Sequence, residues 1–338
     1  MRKLTALLLS ACLVLGMSGC GETASAAVGG RRIISIATVQ PENHPISCGL
    51  RAMRDYLSEE LGEEVEVKIY YNGIMGDNSQ AIELLQMGTL NLVATSGSNL
   101  EAFSSIYKIF GLPYLFRDEQ SFRACMNTPD FVNAVYNCTT DKGIQGVAWF
   151  ANGVNNIYCT KPIMSPDDLK GLKLRIQPSE ANVRLAEGWG AAATVMAYGE
   201  VYTALQNHVI DAAMNPEMAL ISVKHGEVAP YYSRTEHQIF TDMLVANVDF
   251  MNSLSEKERP VFEEAFRIAT EKECEEWDRQ IEDCIAKAKE MGVEFIEVDK
   301  APFAEMQAPV REGLLRDNPM LMPLYEIVQE IQKGGERK

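Results

Sequence analysis

One strand-like segment brings an arginine to a position where it can bind a carboxylate. Over residues 172–177 apolar and polar residues alternate and Pro178 ends the run, so Lys173, Arg175 and Gln177 share the polar face. Arg175 therefore lies near the carboxyl end of a predicted strand, where open α/β sheets bind ligands. Its planar guanidinium matches a carboxylate in bidentate fashion. The alternative is a solvated surface arginine, which is common at strand ends.

A second segment repeats this arrangement with an asparagine. Residues 209–214 have the pattern of a short strand, and Asn215 and Pro216 follow it. The Asn215 carboxamide carries both donors and an acceptor for a polar ligand. Asn215 is also a suitable cap for a helix begun by Pro216, and the two roles are compatible.

The chain carries no motif typical of an enzyme. HExxH, GxSxG, P-loop and GxGxxG patterns are absent, and no CxxC pair indicates a structural zinc site. Glu42, His44 and Cys48 lie close together in sequence, but one histidine with one cysteine is more typical of ordinary loop and helix residues than of a metal site. We therefore expect a protein that is not an enzyme and that holds neither a metal nor a cofactor.

The N-terminus has the form of an export signal with a lipid attachment site. Two basic residues precede an apolar stretch over residues 4–17, which is too short to span a bilayer. The stretch ends in the sequence MSGC, which predicts a lipoprotein signal peptide over 1–19, lipidation of Cys20 and a flexible tether over 20–30. The alternative is an ordinary secretory signal that contains a cysteine. Either form directs the protein outward, and lipidation would anchor it at the outer face of the cell membrane or in the periplasm.

The charge balance excludes some classes of partner. The chain has 31 basic and 47 acidic residues, a net charge of −16. Such a balance argues against nucleic acid and against anionic lipid head groups. No second apolar run approaches membrane-spanning length, so we expect membrane contact only through the N-terminal lipid. The remaining chain is long enough for two domains with substantial cores.

The cysteines after Cys20 leave disulfide pairing open. They are Cys48, Cys125, Cys138, Cys159, Cys274 and Cys284. Cys274 and Cys284 lie about three helical turns apart on one predicted helix, too far to bridge each other. Cys125 and Cys138 lie on successive predicted helices, where either a disulfide or two buried free thiols fits the spacing.

Strand-like and helix-like segments alternate along the chain, which predicts an α/β fold with largely parallel sheets. The predicted strands are 33–38, 65–71, 90–94, 144–150, 172–177, 209–214 and 243–250. The predicted helices are 45–61, 77–88, one near 122, one near 131, 165–171, 179–189 and 199–207. Asp77 and Gln80 form a capping-box pattern at the start of the second helix.

A long helical segment and two strand-forming runs predict how the chain is divided. The pattern over 254–291 is helical, too charged for a membrane and without sustained heptads, which favours a helix that braces two lobes. We predict lobe I from residues 31–152 with about 241–275. We predict lobe II from 153–240 with about 276–338, so that crossovers lie near 152 and 240.

Several ordered stretches together resemble one family of transport proteins. They are GLPYLF at 111–116, NG at 152–153, KPI at 161–163, PDDLKGLKLR at 166–175, MAYGEVYTALQ at 196–206 and IDAAMNP at 210–216. Spread over nearly the whole mature chain, they resemble the solute-binding subunit of TRAP (tripartite ATP-independent periplasmic) transporters, the dicarboxylate-binding-protein (DctP-type) family. The resemblance implies a periplasmic-binding-protein-like fold with a ligand cleft between two lobes and a long helix that spans both.

The resemblance also assigns roles to residues of this chain. Arg175 falls on the arginine that pairs with the ligand carboxylate, Asn215 on a ligand-contacting asparagine and Tyr198 on an aromatic residue that lines the cleft. Gln177, on the Arg175 face, and Asn155 complete the predicted ligand-binding set.

Two departures from the family pattern bear on the ligand. Asn155 stands where many relatives carry a second arginine, and Met214 stands where an acidic or glutamine-like residue is usual. The second charge of a dicarboxylate would need a cationic partner, whereas an asparagine suits hydroxyl groups. A sugar acid such as a uronate is therefore the first expectation and a C4-dicarboxylate the next.

We thus expect a monomeric extracytoplasmic receptor that delivers a small organic acid to the permease subunits of a TRAP-type secondary transporter. A binding protein coupled to a chemoreceptor or sensor kinase is the alternative. An extracellular enzyme is a third reading, although no acid–base pair or nucleophile is visible in the sequence.

Overall fold

The computed structural model describes residues 31–335. The predicted signal peptide, the tether and Cys20 lie outside these residues. Within them, no helix combines the length and the apolar character needed to cross a bilayer.

The strands join in one mixed sheet. Numbered in chain order, they are β1 (Arg32–Thr38), β2 (Val65–Tyr70), β3 (Leu92–Ser96), β4 (Ile144–Cys159), β5 (Lys173–Ile176), β6 (Ala192–Val195), β7 (Ala212–Asn215), β8 (Tyr231–Asn247) and β9 (Glu294–Glu297). Their order is β2-β1-β3-β8-β4-β7-β5-β6, and β9 pairs with β8. Pairing is parallel among β1, β2 and β3 and among β5, β6 and β7. The two groups are joined by antiparallel pairing through β4 and β8, so the expectation of parallel sheets holds only within each group.

The two central strands are far longer than the sequence predicted. β4 extends to residue 159 and β8 begins at 231, whereas strands were expected only over 144–150 and 243–250. The sequence had indicated that the first strand-forming run ends near residue 152. Instead Gly153 adopts φ +64° at an irregularity in the β4–β8 pairing between Ala151 and Val154. Glycine tolerates this left-handed conformation, so the chain bends in a bulge without reversing. β4 and β8 therefore run without a break in the chain past residues 152 and 240, where the sequence predicted crossovers between lobes.

Most predicted helices are present. They are α1 (Pro45–Leu61), α2 (Asn78–Gln86), α3 (Gly97–Leu100), α4 (Glu119–Met126), α5 (Pro129–Asn137), α6 (Glu180–Gly188), α7 (Val201–Gln206), α8 (Met218–Ser222), α9 (Val248–Asn252), α10 (Glu258–Glu290), α11 (Lys300–Asp317) and α12 (Met322–Gly335). The capping box of Asp77 and Gln80 is confirmed at the start of α2. Two predictions were wrong in the type of element. Residues 166–169, predicted as part of a helix, form a short 3₁₀ turn. Residues 248–250, predicted as the end of a strand, belong to α9, because the Asn247 side chain accepts a hydrogen bond from the Phe250 N–H and caps a helix there.

The long helix α10 braces both groups of strands. Phe262 and Ala269 in its first half pack with Leu50 of α1 in one apolar cluster. Ala288 near its end packs with Leu220 of α8 in another. Since α1 follows β1 and α8 follows β7, α10 spans both halves of the molecule, as the sequence predicted.

The C-terminal helices contact different halves. α11 packs on α6, whereas α12 packs on α4 and α5. Leu324 and Val328 of α12 share an apolar cluster with Phe122 and Phe131. The lobe boundaries remain a prediction, and these contacts favour assigning residues 322–335 to lobe I.

The six cysteines among residues 31–335 are all free thiols. Cys125 is buried, and Cys138 lies against the Val135 carbonyl oxygen at 3.1 Å. Of the two arrangements that the sequence left open for this pair, the structure has the free thiols.

Candidate ligand-binding site

A cavity of about 670 Å³ lies where the two groups of strands meet. Its walls come mainly from the carboxyl ends of β1, β2, β3, β5, β6 and β7 and from the first turns of α2 and α8. Open α/β sheets bind ligands at this edge, and the volume suits a small molecule. Four of the five predicted ligand-binding residues line it: Arg175, Gln177, Tyr198 and Asn215.

Arg175 is held in the cavity wall by the backbone of the neighbouring strand. It is 1% exposed, and its Nε and Nη2 donate to the Met196 carbonyl oxygen at 3.1 and 2.9 Å. The parallel pairing of Ile176 with Val195 brings this carbonyl alongside. Burial lowers the pKa of Arg175, yet arginine remains charged in proteins. Its Nη1 has no hydrogen-bond partner among residues 31–335, so a fixed cation offers one unused donor group.

Tyr198 lies beside this cation. The Arg175 guanidinium carbon is 5.9 Å from the centre of the Tyr198 ring, within the range of a cation–π contact. The His225 ring also contacts Tyr198, edge-on, with 5.6 Å between the ring centres. Burial raises the pKa of Tyr198 while Arg175 opposes the rise, so the phenol stays neutral. Tyr198 thus supplies an aromatic wall next to the guanidinium.

Asn215 is oriented by a chain of buried hydrogen bonds. Its Nδ2 donates to the Tyr158 hydroxyl at 2.8 Å, and that hydroxyl lies 2.7 Å from Nδ1 of His225. Burial, with a contribution from Arg175, lowers the pKa of His225 to about 3, so the imidazole is neutral and can accept from the hydroxyl at this nitrogen. The carboxamide keeps its oxygen and one N–H for a ligand. The alternative role as a helix cap is not seen, since α8 begins at Met218 without a side-chain cap.

Gln177 and Asn155 differ in position. Gln177 lines the large cavity, and its Oε1 accepts from the Ser96 hydroxyl at 3.5 Å, which links the ends of β5 and β3. Asn155 does not line this cavity. It borders a separate space of about 10 Å³, and its Nδ2 donates to Oε1 of Gln238 at 3.4 Å. Gln177 and Asn215 also line this small space, so Asn155 lies beside part of the predicted set but does not line the cavity that contains Arg175 and Tyr198.

Two buried carboxyl groups were not predicted from the sequence. Asp242 of β8 lines the large cavity and is 4% exposed. Burial raises its pKa to about 7, against a hydrogen bond with Asn152. Behind it, Glu273 of α10 accepts from the Ala151 N–H at 2.8 Å. Burial raises the pKa of Glu273 well above its usual value, and the charge of Asp242 adds to the rise.

Only one of these carboxyls left a signal in the sequence. Asp242 is the single charged residue within the apolar run 239–246, and a charge in such a run is costly to bury unless it has a partner. Glu273 carries no such mark, because it is one of several glutamates along a charged helix.

His44 also lines the cavity, but as part of the scaffold. Its Nδ1 accepts from the Ile46 N–H at 3.3 Å and caps α1. Burial lowers its pKa to about 3, so it adds no positive charge to the cavity. Nowhere in residues 31–335 do three or more potential metal-binding side chains cluster.

Comparison with known proteins identifies similar chains. The family model of bacterial extracellular solute-binding protein family 7 matches residues 36–316. A solved TRAP periplasmic solute-binding protein from Anaerococcus prevotii with bound α/β-D-glucuronate is 38% identical, with a TM-score of 0.88, covering 89% of this chain and 98% of that one. Another, from Sulfitobacter with bound β-D-galacturonate, is 27% identical, with a TM-score of 0.84, covering 88% and 99%. The uncharacterized protein YiiZ of Salmonella typhimurium is 33% identical over 302 residues, which are 89% of this chain and 92% of YiiZ.

Proposed function

The chain belongs to bacterial extracellular solute-binding protein family 7, the DctP family, and on this basis we propose that it is the receptor of a TRAP-type transporter for a monoanionic sugar acid. D-Glucuronate or a related uronate is the proposed ligand. Similar proteins crystallised with D-glucuronate and D-galacturonate support this choice.

The proposal rests on the number of cationic side chains in the cavity. Arg175 is the only lysine or arginine among the described residues that line it. The other ionisable lining groups, apart from Tyr198 and neutral His44, are the carboxyls of Asp77, Glu200 and Asp242. One ligand carboxylate can therefore pair with a fixed cation, while a second would face carboxyl groups.

The rest of the lining suits hydroxyl groups. Amide, hydroxyl and carboxyl side chains surround the cavity, and a sugar ring offers donors and acceptors to all three types. A uronate combines one carboxylate with several hydroxyls, which matches one cation surrounded by neutral and acidic polar groups.

We propose further that the protein is a non-catalytic monomer that is lipidated at Cys20 and hands its ligand to membrane permease subunits. Membership of a family of extracellular solute-binding proteins supports the transport role.

Calorimetry on the wild-type protein tests the ligand class. D-Glucuronate and D-galacturonate should bind, and D-glucose, which has CH₂OH in place of the carboxylate, should bind at least about 30-fold more weakly because Arg175 is left unpaired. A uronate at a hundred times its Kd should also raise the free energy of unfolding by about 2.7 kcal/mol. Tighter binding of succinate than of either uronate, or equal binding of glucose, would contradict the proposal.

Fractionation tests the anchor. Cys20→Ser should move the protein from the membrane to the soluble fraction and leave the uronate Kd unchanged. Equal membrane retention of the variant would exclude lipidation at this residue.

A further inference from the structure

Asp242 lies where its carboxyl can contact the hydroxyl groups of a ligand in the cavity. In the sheet it pairs with Ser96 of β3 on one side and with Phe150 of β4 on the other. It thus lies in the middle of the sheet, where the strands that line the cavity from both halves meet. Its carboxyl is almost completely removed from solvent and lines the cavity that contains Arg175.

The surroundings of Asp242 supply no positive charge. Asn152, a neutral donor, hydrogen-bonds to the carboxyl. Arg175 is the sole lysine or arginine among the described residues of the cavity wall, and the proposed ligand carboxylate occupies its free donor. A buried carboxylate without a cation is costly unless hydrogen bonds satisfy it. Further donors have to come from the occupant of the cavity.

Glu273 is the more deeply buried of the two neighbouring carboxyls. It is fully buried, one of its oxygens accepts from the Ala151 N–H, and the other has no partner among residues 31–335. Two adjacent carboxyls in a buried setting do not both ionise, and the more deeply desolvated one keeps the proton. Glu273 therefore stays neutral behind the cavity wall, and Asp242 is the member of the pair that carries charge at the cavity surface.

We propose that Asp242 binds hydroxyl groups of the ligand and that its charge selects polyhydroxy monocarboxylates against dicarboxylates. This inference rests on the proposed function and adds to it the residue that sets the ligand class. A sugar hydroxyl donates a charge-assisted hydrogen bond to this carboxylate. A second carboxylate at the same place would leave two like charges in a desolvated site.

Two ligands of equal carbon number separate these cases. D-Glucuronate carries one carboxylate, and D-glucarate carries a second carboxylate at the other end of the same carbon chain. We expect wild-type protein to bind D-glucuronate at least about tenfold more tightly than D-glucarate. A hydrogen bond to a charged group corresponds to roughly 10- to 100-fold in affinity, so Asp242→Ala should weaken D-glucuronate binding by about that factor. Asp242→Asn, which removes the charge but keeps the shape, should reduce the preference over D-glucarate to about threefold or less.

Glu101→Gln provides a matched control. Glu101 is also a buried carboxyl, and burial raises its pKa to about 7, but it does not line the cavity and instead accepts from the Ser179 hydroxyl at 2.7 Å. This variant should keep both Kd values within about threefold of wild type.

The outcomes distinguish the inference from the proposed function. If the wild-type protein binds no uronate, both the proposed function and this inference are contradicted. Uronate binding that Asp242→Ala leaves within about threefold, with the preference over glucarate unchanged in Asp242→Asn, would overturn the inference alone. Should either variant fail to fold by circular dichroism, the wild-type ratio still decides, because equal affinity for the two ligands would also overturn it.

Discussion

On one wall of the cavity, Arg175 is buried with two of its donors on the Met196 carbonyl and a third without a partner among residues 31–335. On another, Asp242 is buried to a similar degree, but the hydrogen-bond partner of its carboxyl is the neutral side chain of Asn152. Arginine remains charged when it is buried, whereas a carboxyl responds by raising its pKa. The first position therefore holds a permanent charge, and the second holds a charge that depends on pH and on the ligand.

The two positions are therefore suited to different chemical groups of the ligand. A permanent cation with an oriented donor is suited to a carboxylate, which is itself always ionised near neutral pH. A carboxyl that titrates near neutrality is suited to hydroxyl donors, which stabilise its ionised form. Substitutions at each position and a pH titration can show whether the two positions act on separate parts of the ligand.

The largest effect is expected at Arg175. Arg175→Ala removes one member of a buried charge pair, which typically costs about 2–5 kcal/mol, so the uronate Kd should rise roughly 30-fold to a few thousand-fold. Arg175→Lys should recover only part of the uronate affinity lost in Arg175→Ala, because an ammonium lacks the planar fork of a guanidinium. Calorimetry measures both, with Arg316→Ala, an exposed arginine outside the cavity, as the control. An Arg175→Ala protein that folds and binds within about threefold of wild type would place the carboxylate elsewhere.

A smaller effect is expected at Asn215. Asn215→Ala removes hydrogen bonds of about 0.5–3 kcal/mol, so the uronate Kd should rise by roughly 2- to 100-fold. Because Tyr158 orients the carboxamide at 2.8 Å, Tyr158→Phe should weaken uronate binding in the same direction but by less. In both variants the preference for D-glucuronate over D-glucose should persist, since Arg175 is untouched. Loss of that preference in Tyr158→Phe would show that the two parts of the site are not separate.

A pH titration of ligand binding tests the role of Asp242. Ligand hydroxyls favour ionised Asp242, whose pKa is about 7 in the free protein, so uronate affinity should increase about tenfold from pH 6 to pH 8. Burial, together with the charge of Asp242, raises the pKa of Glu273 well above its usual value, and His44, with a pKa of about 3, stays neutral over this range. Asp242→Asn should flatten the profile in calorimetry, and a profile that is already flat in the wild type would argue against the assignment.

The stability of the free protein should change in the opposite direction. The folded-state pKa of Asp242 lies above the unfolded value, so its contribution is fully present below the unfolded pKa and is lost as pH rises through about 7. Glu101 contributes with the same sign, because burial raises its pKa to about 7 as well. Chemical denaturation from pH 4 to pH 8 should therefore show a smaller decline in Glu101→Gln than in the wild type, and an equal decline would contradict this.

The smallest effect is expected at Asn155. It lies outside the large cavity and bonds to Gln238, whose Nε2 donates to the Gly111 carbonyl oxygen at 2.7 Å. Asn155→Ala should lower the free energy of unfolding and leave the uronate Kd within about threefold. A larger loss of affinity would support the ligand-binding role that the sequence predicted for this residue.

Several features could be read from the sequence because they depend on neighbouring residues. The α/β class and the two-lobed family fold are confirmed, as is the resemblance to TRAP solute-binding proteins. Alternation over 172–177 gave the correct strand and placed Arg175 at its carboxyl end. The Asp77 capping box and the long helix α10 also follow from local patterns. The strand, the capping box and the helix are each patterns within one element, whereas the family fold was inferred from ordered stretches over nearly the whole mature chain.

The tertiary structure decided which of these side chains share a site. Asp242 faces the cavity because β8 continues through both halves and pairs with β3 and β4, although residue 96 lies far from it in sequence. Asn155 lies outside the large cavity and borders a small space together with Gln177 and Asn215, which residue spacing along β4 did not indicate. The orientation of Asn215 depends on Tyr158 and His225, which come from other elements. Alternation within a strand specifies two faces, but pairing across the sheet determines what lies opposite each face, and only there do charge, burial and hydrogen bonds combine into a site.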